Sequence, residues 1–91
     1  MTELKESTPI FDEAQTFFEN ALRDSQNKYG LDHEETVQNR NNLATLFAKQ
    51  GRYKDAESLY LESLNTQEKI LGVKNIKTVP TLNNLANIHE S

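Results

Sequence analysis

The feature that most constrains the fold is that the chain repeats itself after 42 residues. Between residues 14 and 44, nine positions are identical to the positions 42 residues later, whereas unrelated sequences would share about two. The identical pairs are Ala14/Ala56, Leu22/Leu64, Gly30/Gly72, Thr36/Thr78, Val37/Val79, Asn41/Asn83, Asn42/Asn84, Leu43/Leu85 and Ala44/Ala86. A fixed period of this length indicates that one supersecondary unit is stacked on copies of itself.

The unit is clearest in the stretch from residue 37 to residue 64. Its apolar and small residues recur at three- and four-residue steps, which predicts two amphipathic helices. Residues 50–52 predict a tight turn between them, because Gly51 has no Cβ and adopts a left-handed conformation cheaply. Ala44 and Ala56 are small residues at points where the two antiparallel helices must approach each other closely.

Capping signals mark the starts of the other helices. Pro9 suits the first position of a helix, where its missing N–H is not needed. Asp32 and Glu35 have the spacing of a capping box, which would satisfy free N–H groups at the start of the second helix. For the last helix, Asn75 or Thr78 is the expected cap.

The central helix pair resembles the tetratricopeptide repeat. That pattern places a large–small pair and an aromatic residue in a first helix, A, and glycine in the turn. A second helix, B, then carries tyrosine, alanine and a further aromatic residue. The residues that carry the resemblance are Leu43, Ala44, Phe47, Gly51, Tyr53, Ala56, Tyr60, Ser63 and Leu64. Two positions depart from the pattern: Arg40 replaces a bulky apolar residue, and Ser63 replaces an alanine.

The length of the period indicates which subclass of tetratricopeptide repeat the chain resembles. The common tetratricopeptide unit has about 34 residues, and the extra length here lies in residues 23–36 and 65–78. A 42-residue unit is similar to the kinesin light chain subclass, whose loop Leu-Gly-x-Asp-His-x-x-Thr precedes Leu-Asn-Asn-Leu-Ala. The first copy here reads Tyr29-Gly30-Leu31-Asp32-His33-Glu34-Glu35-Thr36 and then Arg40-Asn41-Asn42-Leu43-Ala44. The second copy keeps Leu71-Gly72, Thr78 and Leu82-Asn83-Asn84-Leu85-Ala86 but not the Asp-His pair.

These patterns together predict a single all-α domain over residues 1–91. We expect an antiparallel helix-hairpin solenoid with four helices in the order B-A-B-A, arranged as a right-handed superhelical stack. Its segments are a leader at 1–8, a B-type helix at 9–29, a complete A–B repeat at 33–71 and an A-type helix at 76–91. A solenoid unit cannot bury its apolar stripe alone, so either the array is longer or another chain supplies the missing partners.

Composition excludes several classes of function. The net charge of −4 argues against a nucleic-acid or anionic membrane surface, which would need a basic excess. Without cysteine there is no disulfide framework or thiolate chemistry, and no apolar run reaches membrane-spanning length. The polar start at residues 1–7 carries charges of both signs and is not a secretory signal, so we expect a cytoplasmic protein.

The resemblance implies a peptide-binding surface on the A helices, because kinesin light chains receive cargo peptides on a concave face that asparagines line. The implied residues are Gln38, Asn41, Asn42, Thr45, Lys49, Asn83, Asn84 and Asn87. Asparagine costs a helix about 0.6 kcal/mol relative to alanine, so this cluster indicates a compensating use. A carboxamide both donates and accepts hydrogen bonds, which suits the backbone of an extended peptide. The open alternative is that some of these asparagines bond neighbouring helices or loops.

Nothing in the sequence points to catalysis, and we expect neither an enzyme nor a bound cofactor. His33 and His89 have no third ligand for a metal site, and the serines and threonines have no accompanying His–Asp pair. We therefore expect a protein or peptide partner. The alternative function is self-assembly, in which residues 9–29 of one copy pair head to tail with residues 79–91 of another. Phe17 and Phe18 fit either core packing or a patch for a partner.

Overall fold

The computed structural model describes the backbone of residues 9–72 and 78–89, and the side chains of residues 12–72 and 78–88. The helices are α1 (Pro9–Tyr29), α2 (Glu34–Lys49), α3 (Tyr53–Leu71) and α4 (Val79–His89). No strand occurs in these ranges, and the all-α prediction with four helices is confirmed. The predicted leader at 1–8 and the predicted cap Asn75 lie outside the described residues.

The helices pack as a row of neighbours. Helix α2 lies against α1 on one side and α3 on the other, α3 also packs on α4, and α2 meets α4 over a smaller contact. Short connections make successive helices antiparallel. Each helix therefore contacts mainly its neighbours in the chain, as the repeat period predicts.

The core lies between α2 and α3 and extends to α4. Its buried residues are Leu43, Ala44, Phe47, Ala56, Tyr60 and Leu85, with Phe18, Leu22, Ala48, Leu59, Leu64 and Ile88 packed against them. Ala44 and Ala56 are fully buried, in accordance with the prediction that small residues allow the two helices to approach. The apolar residues thus lie on the faces that their three- and four-residue steps predict.

The turn between α2 and α3 is built around Gly51. Its φ of 84° lies in the left-handed region, which costs glycine little because it has no Cβ. The backbone N–H groups of Gly51 and Arg52 donate to Ala48 O (3.0 Å) and Phe47 O (2.8 Å), so the last carbonyls of α2 have partners. The Arg52 guanidinium also lies 4.0 Å from the centre of the Phe47 ring. These contacts close the hairpin.

The loop between α1 and α2 corrects one prediction. The N-cap of α2 is His33, whose Nδ1 accepts a hydrogen bond from the Glu35 N–H at 3.0 Å. Asp32 pairs with Lys69 of α3 instead, with 2.9 Å between Oδ2 and Nζ. The prediction that Asp32 caps the helix was wrong, because its carboxylate lies beside an ammonium group 37 residues later in the chain.

The loop is tied back to α1 by a buried threonine. Thr36 is fully buried, and its hydroxyl donates to Gly30 O at 2.7 Å. His33 stacks on Tyr29, with ring centroids 4.2 Å apart. These contacts set where α2 begins relative to the end of α1, and hence the position of every side chain that α2 carries.

Candidate functional site

Five of the predicted peptide-binding residues line one cleft between α2 and α4. The cleft has a volume of about 420 Å³. Its lining residues are Glu34, Val37, Gln38, Asn41, Asn42, Thr45, Gln67, Pro80, Thr81 and Asn84. Most of these side chains come from α2 and α4, which the 42-residue period equates as A helices.

A second cleft continues the first toward the end of α2. It has a volume of about 210 Å³ and is lined by Thr45, Ala48, Lys49, Tyr53, Tyr60, Asn84, Asn87 and Ile88. Thr45 and Asn84 line both clefts, so the two form one continuous depression. We call it the α2–α4 groove. It brings together seven of the eight predicted residues, whereas Asn83 is exposed on α4 and lines neither cleft.

Asn41 takes part in a chain of hydrogen bonds along the groove. Its Nδ2 donates to Thr81 Oγ1 at 3.2 Å, and the Thr81 hydroxyl donates to Gln67 Oε1 at 2.8 Å. This chain of hydrogen bonds joins α2, α4 and α3. The Oδ1 atom of Asn41 is buried and accepts no hydrogen bond from the described residues. It is therefore the amide nitrogen of Asn41, and not its oxygen, that links α2 to α4.

Thr45 lines the groove and is also bonded to a core residue. Its hydroxyl is hydrogen-bonded to the Tyr60 hydroxyl at 2.5 Å, which links α2 to α3. Burial raises the pKa of Tyr60, and the hydrogen bond with Thr45 acts in the opposite direction. Because this bond already occupies the threonine hydroxyl, the exposed amide of Asn42 is more available to a ligand than Thr45 is.

Asn39 shows that an asparagine in α2 can also bond a neighbouring helix. Its Nδ2 donates to Ala21 O at 3.2 Å and to Ser25 Oγ at 3.1 Å, both in α1. Thr81 and Gln67 are the repeat counterparts of Asn39 and Ser25, and they are hydrogen-bonded in the same way between α4 and α3. Asn39 and Asn41 therefore join neighbouring helices. Asn42, Asn84 and Asn87 line the groove.

Several groove residues were missed by sequence reasoning. Val37, Gln67, Pro80 and Thr81 line the first cleft although they do not belong to the predicted set. The repeat gave no signal for Thr81, because its counterpart Asn39 lines neither cleft and bonds α1 instead. Gln67 gave none, because it lies in a B helix and reaches the cleft only through the packing of α3 on α4.

The two ends of the groove differ in charge. Glu34 lies in the first turn of α2 and Lys49 in the last, about 22 Å apart along the helix axis. Each lines a different one of the two clefts. The depression thus has an acidic end and a basic end, with amides and hydroxyls between them.

Other site types receive no support from the described residues. Within them, no three His, Asp or Glu side chains come together so that they could hold a metal ion. None of the helices in the described ranges has both the length and the apolar character to cross a membrane.

The fold and the groove define a helical-hairpin repeat protein. A comparison with family models matches the tetratricopeptide repeat over residues 11–69 and again over residues 38–91. Because these matches cover more than half of the chain, it belongs to the tetratricopeptide repeat family. Proteins with these repeats generally mediate protein–protein interactions and are typically non-enzymatic scaffolds. A search of curated proteins finds no match.

Proposed function

We propose that the α2–α4 groove binds an extended peptide segment of a partner protein. The observation that carries this proposal is that amide side chains of both A helices line one open groove, with Gln38 and Asn41 on α2 and Asn84 on α4. A carboxamide both donates and accepts hydrogen bonds, which suits the backbone of an extended peptide. The neighbouring amides of Asn42 and Asn84 supply further donors and acceptors along the same depression.

The polarity of the groove suggests which peptides it favours. A segment with a basic residue near Glu34 and an acidic residue near Lys49 matches the charges at the two ends. Both ends are exposed, so these charges select orientation more than they add affinity. We expect a protein partner rather than nucleic acid or a membrane surface, because the chain carries a net charge of −4.

We also propose that the chain belongs to the 42-residue subclass that kinesin light chains represent. The period itself and the loop support this, because Thr36 of the Gly-x-Asp-His-x-x-Thr loop ties α2 to Gly30 at 2.7 Å. A cytoplasmic location fits this assignment and stays a prediction.

The test uses linear peptides selected from a random library on the full chain, with affinity measured by fluorescence anisotropy. Asn42→Ala/Asn84→Ala should weaken binding about tenfold or more, because two amides that line the groove are lost. Asn27→Ala is the matched control, since Asn27 is exposed on α1 away from the groove. Equal affinity of the double variant and the control would show that the peptides bind elsewhere, and failure to select any peptide would also contradict the proposal.

A further inference from the structure

The contact between α2 and α3 shows how an A helix pairs with its B helix in this chain. On the α2 side, Arg40 reaches α3, with 3.4 Å between Nη1 and Thr66 Oγ1, and Ala44 and Phe47 lie in the core. On the α3 side, Ala56 and Tyr60 lie in the same core. The 42-residue repeat makes α4 equivalent to α2 and α1 equivalent to α3. The α2–α3 contact therefore serves as a template that shows how an α4 helix would pack on an α1 helix.

The α4 counterparts of buried α2 residues are exposed. Val79 is 44% exposed and Leu82 is 46% exposed, whereas Val37 and Arg40 at the equivalent positions of α2 are 3% and 4% exposed. Ala86 is also exposed, although its counterpart Ala44 is fully buried. We call Val79, Leu82 and Ala86 the α4 face. No described helix covers it as α3 covers α2.

The α1 counterparts of buried α3 residues are uncovered in the same way. Ala14, Phe18 and Ala21 are only half-buried, whereas their counterparts Ala56, Tyr60 and Ser63 are almost completely buried. Phe17 is 67% exposed, and its ring lies 5.5 Å from that of Phe18. We call Ala14, Phe17, Phe18 and Ala21 the α1 face.

We propose that the α4 face of one copy packs on the α1 face of a second copy and reproduces the α2–α3 contact. The occupant is another copy for two reasons. The α4 face holds the counterparts of the α2 residues in the α2–α3 contact, and the α1 face holds the counterparts of the α3 residues. Every copy of the chain carries both faces. The α4 face carries Leu82 where α2 has the charged Arg40, so this contact needs no buried ion pair. This inference does not depend on peptide binding in the α2–α4 groove.

The geometry of this contact has a consequence for the assembly. The two surfaces differ, so the contact is heterologous and builds a ring if its rotation closes and an open row of copies if it does not. Association through this contact therefore does not produce a symmetric dimer with one shared patch. Each added copy also places a further A helix, its α2, in line after α4, which extends the row of A helices.

The experiment measures sedimentation of the full chain over a roughly hundredfold range of concentration. Phe17→Glu places a charge in the α1 face and Leu82→Glu places one in the α4 face. Because a buried unpaired charge is costly, each variant should lose association by at least about tenfold. Leu61→Glu is the matched control, since Leu61 is 45% exposed on α3 and belongs to neither face. Its association should equal that of the wild type.

Mixing the two variants gives the decisive result. Phe17→Glu retains an intact α4 face and Leu82→Glu an intact α1 face, so an equimolar mixture should form a complex of one copy of each. A wild type that stays monomeric at every concentration, or a mixture that stays monomeric, overturns the proposal. So does continued association of either variant alone. Circular dichroism of each variant checks that helicity is unchanged. Peptide affinity of the monomeric variants reports separately on the groove.

Discussion

Arg40 offers the sharpest test of how this core is stabilised. Its side chain is 5% exposed, and its partners are distant: Nη1 lies 3.4 Å from Thr66 Oγ1 and Nε lies 3.6 Å from Glu62 Oε1. The Glu62 side chain is 66% exposed and stays solvated, so this ion pair contributes at most about 1 kcal/mol. Desolvation of a buried guanidinium costs several kcal/mol, which these contacts do not offset.

We therefore predict that Arg40→Leu stabilises the fold. Replacing a buried ion pair by a well-packed apolar residue is neutral or stabilising by about 1–4 kcal/mol. Leucine is the natural choice because Leu82 occupies the equivalent position of α4. Since Glu62 is exposed, removing its partner leaves no buried unpaired charge, and we expect a gain of about 1–2 kcal/mol.

The measurement is urea unfolding followed by circular dichroism at low protein concentration, where association does not contribute. Two control variants separate the effect of the ion pair on stability from the effect of side-chain packing. Glu62→Gln should change stability by less than about 1 kcal/mol. Arg40→Ala should lose about 2 kcal/mol, because it removes the buried aliphatic stem and leaves a cavity. If Arg40→Leu is less stable than the wild type by more than about 1 kcal/mol, the ion pair stabilises the core and the reasoning is wrong.

Two further predictions concern a buried hydroxyl and a helix cap. Because burial raises the pKa of Tyr60 above its ordinary value of 10.0, unfolding free energy should be constant near neutral pH and fall in alkaline solution. Tyr60→Phe should remove that alkaline loss of stability. It should also lower the unfolding free energy by about 1 kcal/mol at neutral pH, because the Thr45 hydroxyl loses its hydrogen-bond partner. Urea titrations at a series of pH values measure both effects. His33→Ala should lower stability by about 1 kcal/mol and His33→Asn by less in thermal unfolding, because only a side-chain acceptor can cap the Glu35 N–H. Equal melting temperatures for wild type and His33→Ala would contradict this role.

Much of the architecture follows from the sequence. The steps between apolar residues predicted the faces of α2 and α3, and Gly51 predicted the left-handed turn between them. These features are local, since they depend on residues within a few positions of each other. The repeat then equated α1 with α3 and α2 with α4. For the groove, the resemblance to kinesin light chains implied seven of the lining residues, and their binding role stays a prediction.

The tertiary structure decided which polar side chains pair with each other. Asp32 does not cap α2, because Lys69 of α3 lies within 2.9 Å of it. Asn39 binds α1 and Asn41 binds α4, although both are asparagines in the same helix. These pairs are separated by 14 to 40 residues in sequence. A sequence pattern specifies which face of a helix a side chain occupies, but hydrogen bonds require distances near 3 Å, and only the packing of separate helices sets those distances.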